Sequence, residues 1–318
     1  MKMTQWLATA ALAAATVAAG AAHADTKFIN ILTGGQSGVY YPMGVALSQI
    51  YNKQIPDAKS TAQVTKASAE NMNLIQAGRG ELAFALADTV SDAYTGNTEA
   101  GFKAPLKDLR GMTATYNNYI QIVANAESGI KTLADLKGKR ISVGAARSGT
   151  ELNARAVLKA AGLSYDDFSK VEYLPFGESV ELMKNRQLDV TLQSAGLGVS
   201  SIRDLATSVK IAVVPIPADV VAKINNPAYQ PATIPADTYE GMADSVPTVA
   251  VPNFLITSAA VPDDLVYQMT KVFYEQLDTL KATHNSAKTI ERANALKGMP
   301  VPVHPGAERY YKEVGLIQ

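Results

Sequence analysis

A glycine-rich loop between an apolar segment and a helical pattern decides the fold class of this chain. The loop is GGQSGVYYPMG (34–44), preceded by KFINILT (27–33) and followed by VALSQIYNK (45–53). Its four glycines allow a tight turn and a close approach to a ligand, and Pro42 suits the first position of a helix. We therefore predict a strand, a ligand-approaching loop and a helix N-terminus in that order.

A helix N-terminus attracts anions without identifying them. Its first N–H groups have no intrahelical partner and it carries the positive pole of the helix dipole, so phosphate, sulfate and carboxylate are all suitable ligands. The chain contains no G-x-G-x-x-G, no G-x-x-x-x-G-K-[ST] and no G-x-S-x-G motif. The loop is therefore not typical of the known nucleotide-binding or nucleophile-elbow patterns.

The N-terminus has the pattern of a secretory signal peptide. Lys2 precedes an Ala-rich apolar run, 7–20, and an A-x-A sequence ends at Ala24. The run is shorter than the ~20 residues that a membrane-spanning helix needs. We predict a signal peptide over 1–24, cleavage after Ala24 and a mature periplasmic protein that begins at Asp25.

Composition narrows the possible partners. The chain has no cysteine, which excludes a disulfide framework and a lipid-modified cysteine anchor. It has 29 basic and 29 acidic residues, and loss of Lys2 with the signal peptide leaves these counts one apart. Such a balance without a basic block argues against nucleic acid or an anionic membrane surface as partners. With 47% hydrophobic and 18% charged residues, the chain is long enough for roughly two lobes.

Apolar runs alternate with helical patterns along the chain, which is typical of an α/β fold with largely parallel sheets. Gly-rich or polar loops lie at strand-to-helix junctions in both halves, where ligands of open α/β sheets bind. Two lobes that face each other with these ends would enclose a cleft. We predict a crossing strand in YNNYIQIVANAESG (116–129) and a return crossing in the Pro-rich segment 215–235.

The segment RSGTE contains the most informative candidate anion loop. Ser148 and Glu151 have the spacing of a capping box, which by itself is a structural feature. In the functional interpretation, Ser148, Gly149 and Thr150 offer hydroxyl and N–H groups to a carboxylate. Arg147 is either an exposed loop cation or a bidentate partner of the ligand carboxylate.

Other candidate positions also have two interpretations. In SAEN, Ser68 is a predicted helix cap and Asn71 lies in the first helical turn. Tyr40 is either a core aromatic or a wall of the ligand site. Asp88 follows a predicted strand and either caps the next helix or pairs with a ligand amine.

Signatures of enzymes and metal sites are weak. The mature chain holds two histidines, His284 and His304, and no H-E-x-x-H motif. No pair of carboxylates is singled out by spacing, although acidic residues are numerous. We predict no metal, no cofactor and no catalytic residue.

Several segments in order closely resemble the TAXI family of solute receptors of TRAP transporters. They are GGQSGVYYPMG, TKASAEN, DLKGKRISVGAARSGTE, DTYEGM with VPTVAV, LVYQMTKVFYE and HPGAERYYKEVGL. The resemblance implies a type II-like, two-lobe periplasmic binding protein fold, with lobe 1 over 25–115 and 214–318 and lobe 2 over 116–213. It also implies a monomer that captures a small organic anion, such as glutamate or 2-oxoglutarate, and delivers it to the TRAP membrane component. The segment HPGAERYY we interpret as structural packing of a C-terminal helix.

The resemblance also implies which residues contact the ligand. These residues are Gly38, Tyr40, Ser68, Asn71, Asp88, Ser148, Gly149, Thr150, Ala195 and Gly196. With Arg147, the candidate from the anion loop, they make up the predicted ligand-binding set. The chain departs from the family pattern at Lys66-Ala67, Arg147, Asn118 and 196–198, which predicts a more cationic pocket than usual. Two alternatives remain open: an exported hydrolase or lyase that uses Asp88 or another acid as its base, and a sensor that passes ligand state to a membrane receptor.

Overall fold

Strands and helices alternate along residues 26–318, the part of the chain that the computed structural model describes. The predicted signal peptide, 1–24, lies outside the described residues. The strands are β1 Lys27–Leu32, β2 Ala58–Gln63, β3 Leu82–Leu86, β4 Leu109–Asn125, β5 Arg140–Ser142, β6 Lys170–Glu172, β7 Val190–Ala195, β8 Ile211–Val214, β9 Gln230–Ile234 and β10 Val246–Ser258. The α-helices are α1 Tyr40–Gln54, α2 Ser68–Gln76, α3 Ala87–Thr95, α4 Gly149–Ala160, α5 Phe176–Lys184, α6 Ser200–Ser208, α7 Ala218–Ile224, α8 Asp263–Glu275, α9 Leu277–Lys281 and α10 Pro305–Glu313.

The strands form one mixed sheet in the order β2-β1-β3-β10-β4-β7-β5-β6, with β8 beside β4 and β9 beside β10. In the first sheet half, β1 is parallel to both β2 and β3. In the second sheet half, β5 is parallel to both β6 and β7. The antiparallel pair β4 and β10 lies between the halves. This arrangement confirms the predicted α/β class.

The parallel strands lie in the core because helices cover both faces of the sheet. Every residue of β3, LAFAL, is buried, and so is every residue of β7, VTLQSA. Continuous burial of this kind is typical of strands that are covered on both faces. The carboxyl ends of these strands lead into the loops that carry the candidate site.

Two long strands join the sheet halves. β4 has 17 residues and pairs first with β10 and then, from Tyr119 to Ala124, with β7. The predicted crossing at 116–129 overlaps β4, but the predicted return crossing at 215–235 is wrong. That segment holds α7 and β9, and β10 makes the return. Pro252 obscured this strand in the sequence; it lies where a register shift interrupts the pairing of β10 with β4.

The C-terminal motif has the structural role that the sequence predicted. His304 is buried, and its Nδ1 accepts a hydrogen bond from the N–H of Gly306 at 3.1 Å, which caps α10. Tyr311 is also buried, and its hydroxyl donates to the carbonyl of Met112 at 2.7 Å. These contacts fasten α10 to the sheet. Between residues 26 and 318, no helix combines the length and the apolar character that a bilayer span requires.

Candidate functional site

A cavity of about 740 Å³ lies where loops from both sheet halves meet. Most of its wall comes from the starts of helices, and the remainder comes from strand ends. Its lining residues are 34–40 before and at α1, 64–68 and Glu70 at α2, Ala145 and 148–150 at α4, 175–178 at α5, and Leu86, Tyr116, Asn118, Ser194 and Ala195.

Four helices therefore point their N-termini at one cavity. These helices, α1, α2, α4 and α5, have between nine and 15 residues. The first turn of each leaves N–H groups without an intrahelical partner, and the positive poles of the four dipoles add. The cavity is consequently suited to an anionic group, even though few cationic side chains line it.

Seven of the eleven predicted ligand-binding residues line this cavity. They are Gly38, Tyr40, Ser68, Ser148, Gly149, Thr150 and Ala195. Their contact with a ligand stays a prediction. The start of α5 also lines the cavity but was not among the predicted site residues, because its N-cap, Pro175, offers no side-chain hydrogen-bonding group.

The opening loop turns as its glycines predict. The N–H of Gly38 donates to the carbonyl of Gly35 at 3.0 Å. Helix α1 begins at Tyr40, so Pro42 is its third residue and not its first; proline is tolerated there because that N–H needs no intrahelical partner. Tyr40 is buried, stacks on Phe84 at 5.1 Å and still lines the cavity, so it belongs both to the core and to the wall.

The start of α2 differs from the prediction. Ser68 is its first residue rather than its cap, and its Oγ accepts from the N–H of Leu86 at 3.2 Å. The N-cap position is occupied by Ala67, whose φ of 67° lies in the left-handed region. The carboxylate of Glu70 accepts instead from the N–H of Lys66 at 2.5 Å. Because the turn is at Ala67, the helix begins one residue earlier than predicted.

Half of the predicted capping box forms at α4. The Ser148 hydroxyl oxygen accepts from the N–H of Glu151 at 3.1 Å. The Glu151 carboxylate does not return to Ser148 and accepts from Arg155 Nε at 2.6 Å and from the Tyr165 hydroxyl at 2.9 Å. Arg147, with a φ of 63°, is exposed and is not among the lining residues.

Three further predicted residues do not line the cavity. The amide nitrogen of Asn71 donates to the carbonyls of Thr33 and Phe84 at 2.8 Å, so it fastens α2 to the two strand ends. Gly196 lies against Ser286, where a Cβ atom would clash. The third is Asp88, which lies in α3 and is surrounded by other residues.

Asp88 is the second residue of α3 and is buried away from the cavity. Its Oδ2 accepts from the Tyr229 hydroxyl at 2.5 Å and from Asn153 Nδ2 at 2.7 Å. Burial raises the pKa of Asp88 to about 6, although the hydrogen bond from Tyr229 opposes the shift. The side chain makes no capping hydrogen bond, so the predicted cap role is wrong: α3 begins at Ala87 without an intervening loop residue.

Only three charged residues line the cavity: Lys66, Glu70 and Glu178. Lys66 and Glu178 are exposed, and Glu70 is half-buried. An anion in the interior would therefore contact backbone N–H and hydroxyl groups more than cationic side chains. Within residues 26–318, no three His, Asp or Glu side chains are grouped to hold a metal ion.

Comparison with protein families shows which family the chain belongs to. The profile of the NMT1-like family matches residues 31–315, which is nearly the whole described range. The chain belongs to the NMT1-like family. Its matched range contains every residue of the cavity wall.

Three solved structures illustrate the fold that this NMT1-like family member shares with known proteins. PhnD1 from Prochlorococcus marinus, in complex with methylphosphonate, is 10% identical with a TM-score of 0.56, over 92% of this chain and 100% of that one. A binding protein component of a phosphonate ABC transporter from Pseudomonas aeruginosa is 11% identical with a TM-score of 0.53, over 83% and 80% of the two chains. An ABC uptake transporter substrate binding protein from Streptococcus pneumoniae with bound histidine is 15% identical with a TM-score of 0.50, over 82% and 95%. At these identities the likeness establishes the periplasmic binding protein fold.

Proposed function

We propose that this protein is an exported, monomeric receptor that binds a small organic anion and delivers it to a membrane transporter. The observation that carries the proposal is the meeting of four helix N-termini in one cavity of about 740 Å³. In its finer form, the receptor is of the TAXI type, its transporter is a TRAP permease, and its ligand is glutamate or a related dicarboxylate such as 2-oxoglutarate. The TAXI-like motifs of the sequence support this form.

The charge distribution supports an anion that is held by the backbone. Helix N-termini bind carboxylates through N–H groups, and this attraction is strongest where solvent is excluded. The apolar side chains of Val39, Leu86 and Phe176 line the same cavity. A dicarboxylate, whose short apolar chain lies between two ionised carboxylates, matches a wall that combines helix N-termini with apolar side chains. The fold neighbours with methylphosphonate and histidine also hold small polar molecules.

Contacts across the cleft support closure around the ligand. The hydroxyl of Ser200 donates to the carbonyl of Ser37 at 2.9 Å, which joins α6 to the opening loop. A Cβ atom on Gly149 would lie 2.6 Å from Ser68 Oγ, so the starts of α4 and α2 are nearly in contact. We propose two lobes that are joined by β4 and β10, so that the second lobe ends at β10 and not at the predicted residue 213. The lobes separate to admit the ligand and close on it.

The proposal contains no catalytic step. The base of the alternative hydrolase or lyase, Asp88, is engaged by Tyr229 and Asn153 and does not line the cavity. We also propose that the protein is exported after cleavage of the signal peptide at Ala24. It binds neither nucleic acid nor a cofactor in this proposal.

Ligand identification tests the proposal directly. Mass spectrometry of the small molecule released from the purified protein, followed by calorimetric titration, should identify a carboxylate that is bound unchanged. At ~100 times its dissociation constant, that ligand should stabilise the fold by roughly 2.7 kcal/mol, a rise of several degrees in melting temperature. Stabilisation by neutral sugars alone, or turnover of the bound molecule, would contradict the proposed function.

A further inference from the structure

Two buried hydroxyl groups in the cavity wall have no hydrogen-bond partner in the protein. Within residues 26–318, the buried side-chain oxygens or nitrogens without a partner are Tyr116 OH, Ser194 Oγ and Asn153 Oδ1. The first two belong to residues that line the cavity, and these residues are 2% and 5% exposed. Unpaired hydrogen-bonding capacity is thus concentrated in this wall.

The two residues are held in place by a pair of buried amides. Asn253 Nδ2 donates to the carbonyl of Tyr116 and to Asn118 Oδ1, each at 2.9 Å. Asn118 Nδ2 in turn donates to the carbonyl of Ser194 at 2.8 Å. The backbones that carry both hydroxyls are therefore fixed by one network. Such preorganisation lowers the entropy cost of binding a ligand group to either hydroxyl.

A buried hydroxyl without a partner is unfavourable, which makes it a candidate for pairing with a ligand. Burial raises the pKa of Tyr116 well above its usual value, so this hydroxyl is neutral and can donate. Ser194 also offers a neutral hydroxyl. Neither group could neutralise a buried ammonium, because that would need a carboxylate.

The carboxylates of the lining do not serve this wall. Glu70 lies in the first turn of α2 and accepts from the N–H of Lys66. Glu178 lies in the first turn of α5 and is exposed. Asp88, the amine partner that the sequence suggested, accepts from Tyr229 and Asn153 instead.

We propose that Tyr116 and Ser194 bind an uncharged oxygen of the ligand, while the helix N-termini hold its carboxylate. The substrate class is then an oxo- or hydroxycarboxylate in preference to the matching amino acid. This inference rests on the proposed function, since it assumes a carboxylate ligand. Tyr116 and Ser194 act as specificity-determining residues for the second group of that ligand.

Calorimetric titration with three matched sets of acids tests the inference. Each set contains an oxygen-bearing acid, the amino acid and the unsubstituted acid: lactate, alanine and propionate; malate, aspartate and succinate; 2-oxoglutarate, glutamate and glutarate. In the set that binds, the oxygen-bearing acid should be tightest. Tyr116→Phe and Ser194→Ala should each weaken it roughly three- to tenfold and leave the unsubstituted acid within about twofold.

Matched variants separate binding from folding. Tyr51→Phe removes a buried hydroxyl that donates to the carbonyl of Met269, and Ser60→Ala removes one that donates to the carbonyl of Ile29. Both control variants should melt at lower temperature and bind every acid unchanged. In contrast, ligand-free Tyr116→Phe should melt at the same temperature as the unmodified protein or higher, because it loses an unpaired polar group.

The outcomes distinguish this inference from the proposed function. If one set binds but its amino acid is tightest, or if Tyr116→Phe and Ser194→Ala weaken all acids of the set equally, the inference is wrong and the receptor function stands. If no acid of any set binds, the carboxylate function and the inference fail together.

Discussion

Two cavities of nearly equal size contact different parts of α4, and their walls differ in kind. The first, of about 740 Å³, is lined by helix starts and apolar side chains, with three charged residues. The second, of about 780 Å³, lies among α3, α4 and α7. Its lining includes three acids and three bases: Asp88, Asp92, Glu99, Arg155, Lys159 and Lys223.

The two cavities differ in free hydrogen-bonding capacity more than in volume. In the second cavity, two of the charged groups have partners in the protein: Asp88 accepts from Tyr229, and Arg155 pairs with Glu151 at 2.6 Å. In the first cavity, helix N-termini and the hydroxyls of Tyr116 and Ser194 remain available. Because α4 lines both cavities, substitutions on either side of it can test this distinction.

The largest expected effect concerns Asp88 and the pH dependence of stability. A carboxyl group whose pKa is raised by folding, here to about 6, keeps its proton more firmly in the folded state. Its stabilising contribution is complete below its unfolded value near 3.8 and is lost as the pH rises through 6. Between pH 4 and 7 this group should lower the free energy of unfolding by about 2 kcal/mol, and Asp88→Asn should remove that decrease, measured with urea.

Asp88→Asn also tests whether the cavities are independent. Asn153 Oδ1 has no partner and can accept from the new amide after a side-chain rotation, so the variant should fold. The exposed Asp244→Asn serves as a control that leaves the pH profile unchanged. Ligand affinity at pH 7 should stay within about threefold; a larger loss would mean that the second cavity takes part in binding and that the comparison is wrong.

A smaller effect is expected at the contact between the two helix starts. In Gly149→Ala the new methyl group would lie 2.6 Å from Ser68 Oγ and 2.7 Å from Leu86 Cδ1. This overpacking costs about 1–3 kcal/mol in the closed form and is relieved when the cleft opens. Ligand binding, which needs the closed form, should therefore weaken roughly 10- to 100-fold, measured by calorimetry. The melting temperature of the ligand-free protein should change little for the same reason.

A second glycine of the same cavity provides the control for Gly149→Ala. At Gly35 the nearest atom to an added Cβ is 4.0 Å away, on Pro175. Gly35→Ala should therefore leave the closed form unstrained and should lose less affinity than Gly149→Ala. Equal losses of affinity in both variants would indicate that the two starts do not form a specific contact across the cleft.

The smallest effect is expected at Arg147, where the sequence suggested a ligand contact. Its side chain is exposed and outside the lining, and its φ of 63° favours glycine. Arg147→Gly should raise the free energy of unfolding by ~1 kcal/mol and change affinity less than threefold. Arg147→Lys should leave stability unchanged. A tenfold loss of affinity in Arg147→Gly would show that the guanidinium reaches the ligand and that cationic side chains matter in the first cavity as well.

Local patterns predicted the elements of this fold well because they depend on near neighbours in the chain. The glycine loop before α1 and the start of α4 lie where periodicity and capping residues placed them, within two residues. The α/β class followed from the alternation of strands and helices. The return crossing escaped prediction because β10 pairs with residues more than a hundred positions away, and its prolines concealed it.

The direction in which a side chain points was less predictable than its position. Leu86 and Asp88 both lie at the end of β3, yet Leu86 lines the first cavity and Asp88 the second. Helix α3 begins at Ala87, and successive side chains on a helix are rotated by about 100°. The side chain of Asp88 therefore points roughly opposite to that of Leu86, two residues earlier. The pairing of Tyr116 and Ser194 with one amide network likewise depends on the order of strands in the sheet, which no local pattern encodes.

The position of β10 in the centre of the sheet has a consequence for how the chain folds. β10 is the last strand in sequence, yet it lies between β3 and β4, and its Asn253 bonds to Tyr40 across 213 positions. Until a ribosome has released almost the entire chain, the first three strands lack the neighbour that completes their core. Closure of such long loops before the contacts are gained makes folding slow. The sheet can therefore be completed only after Ser258, the last residue of β10, has left the ribosome, when about four-fifths of the 318 residues have been joined.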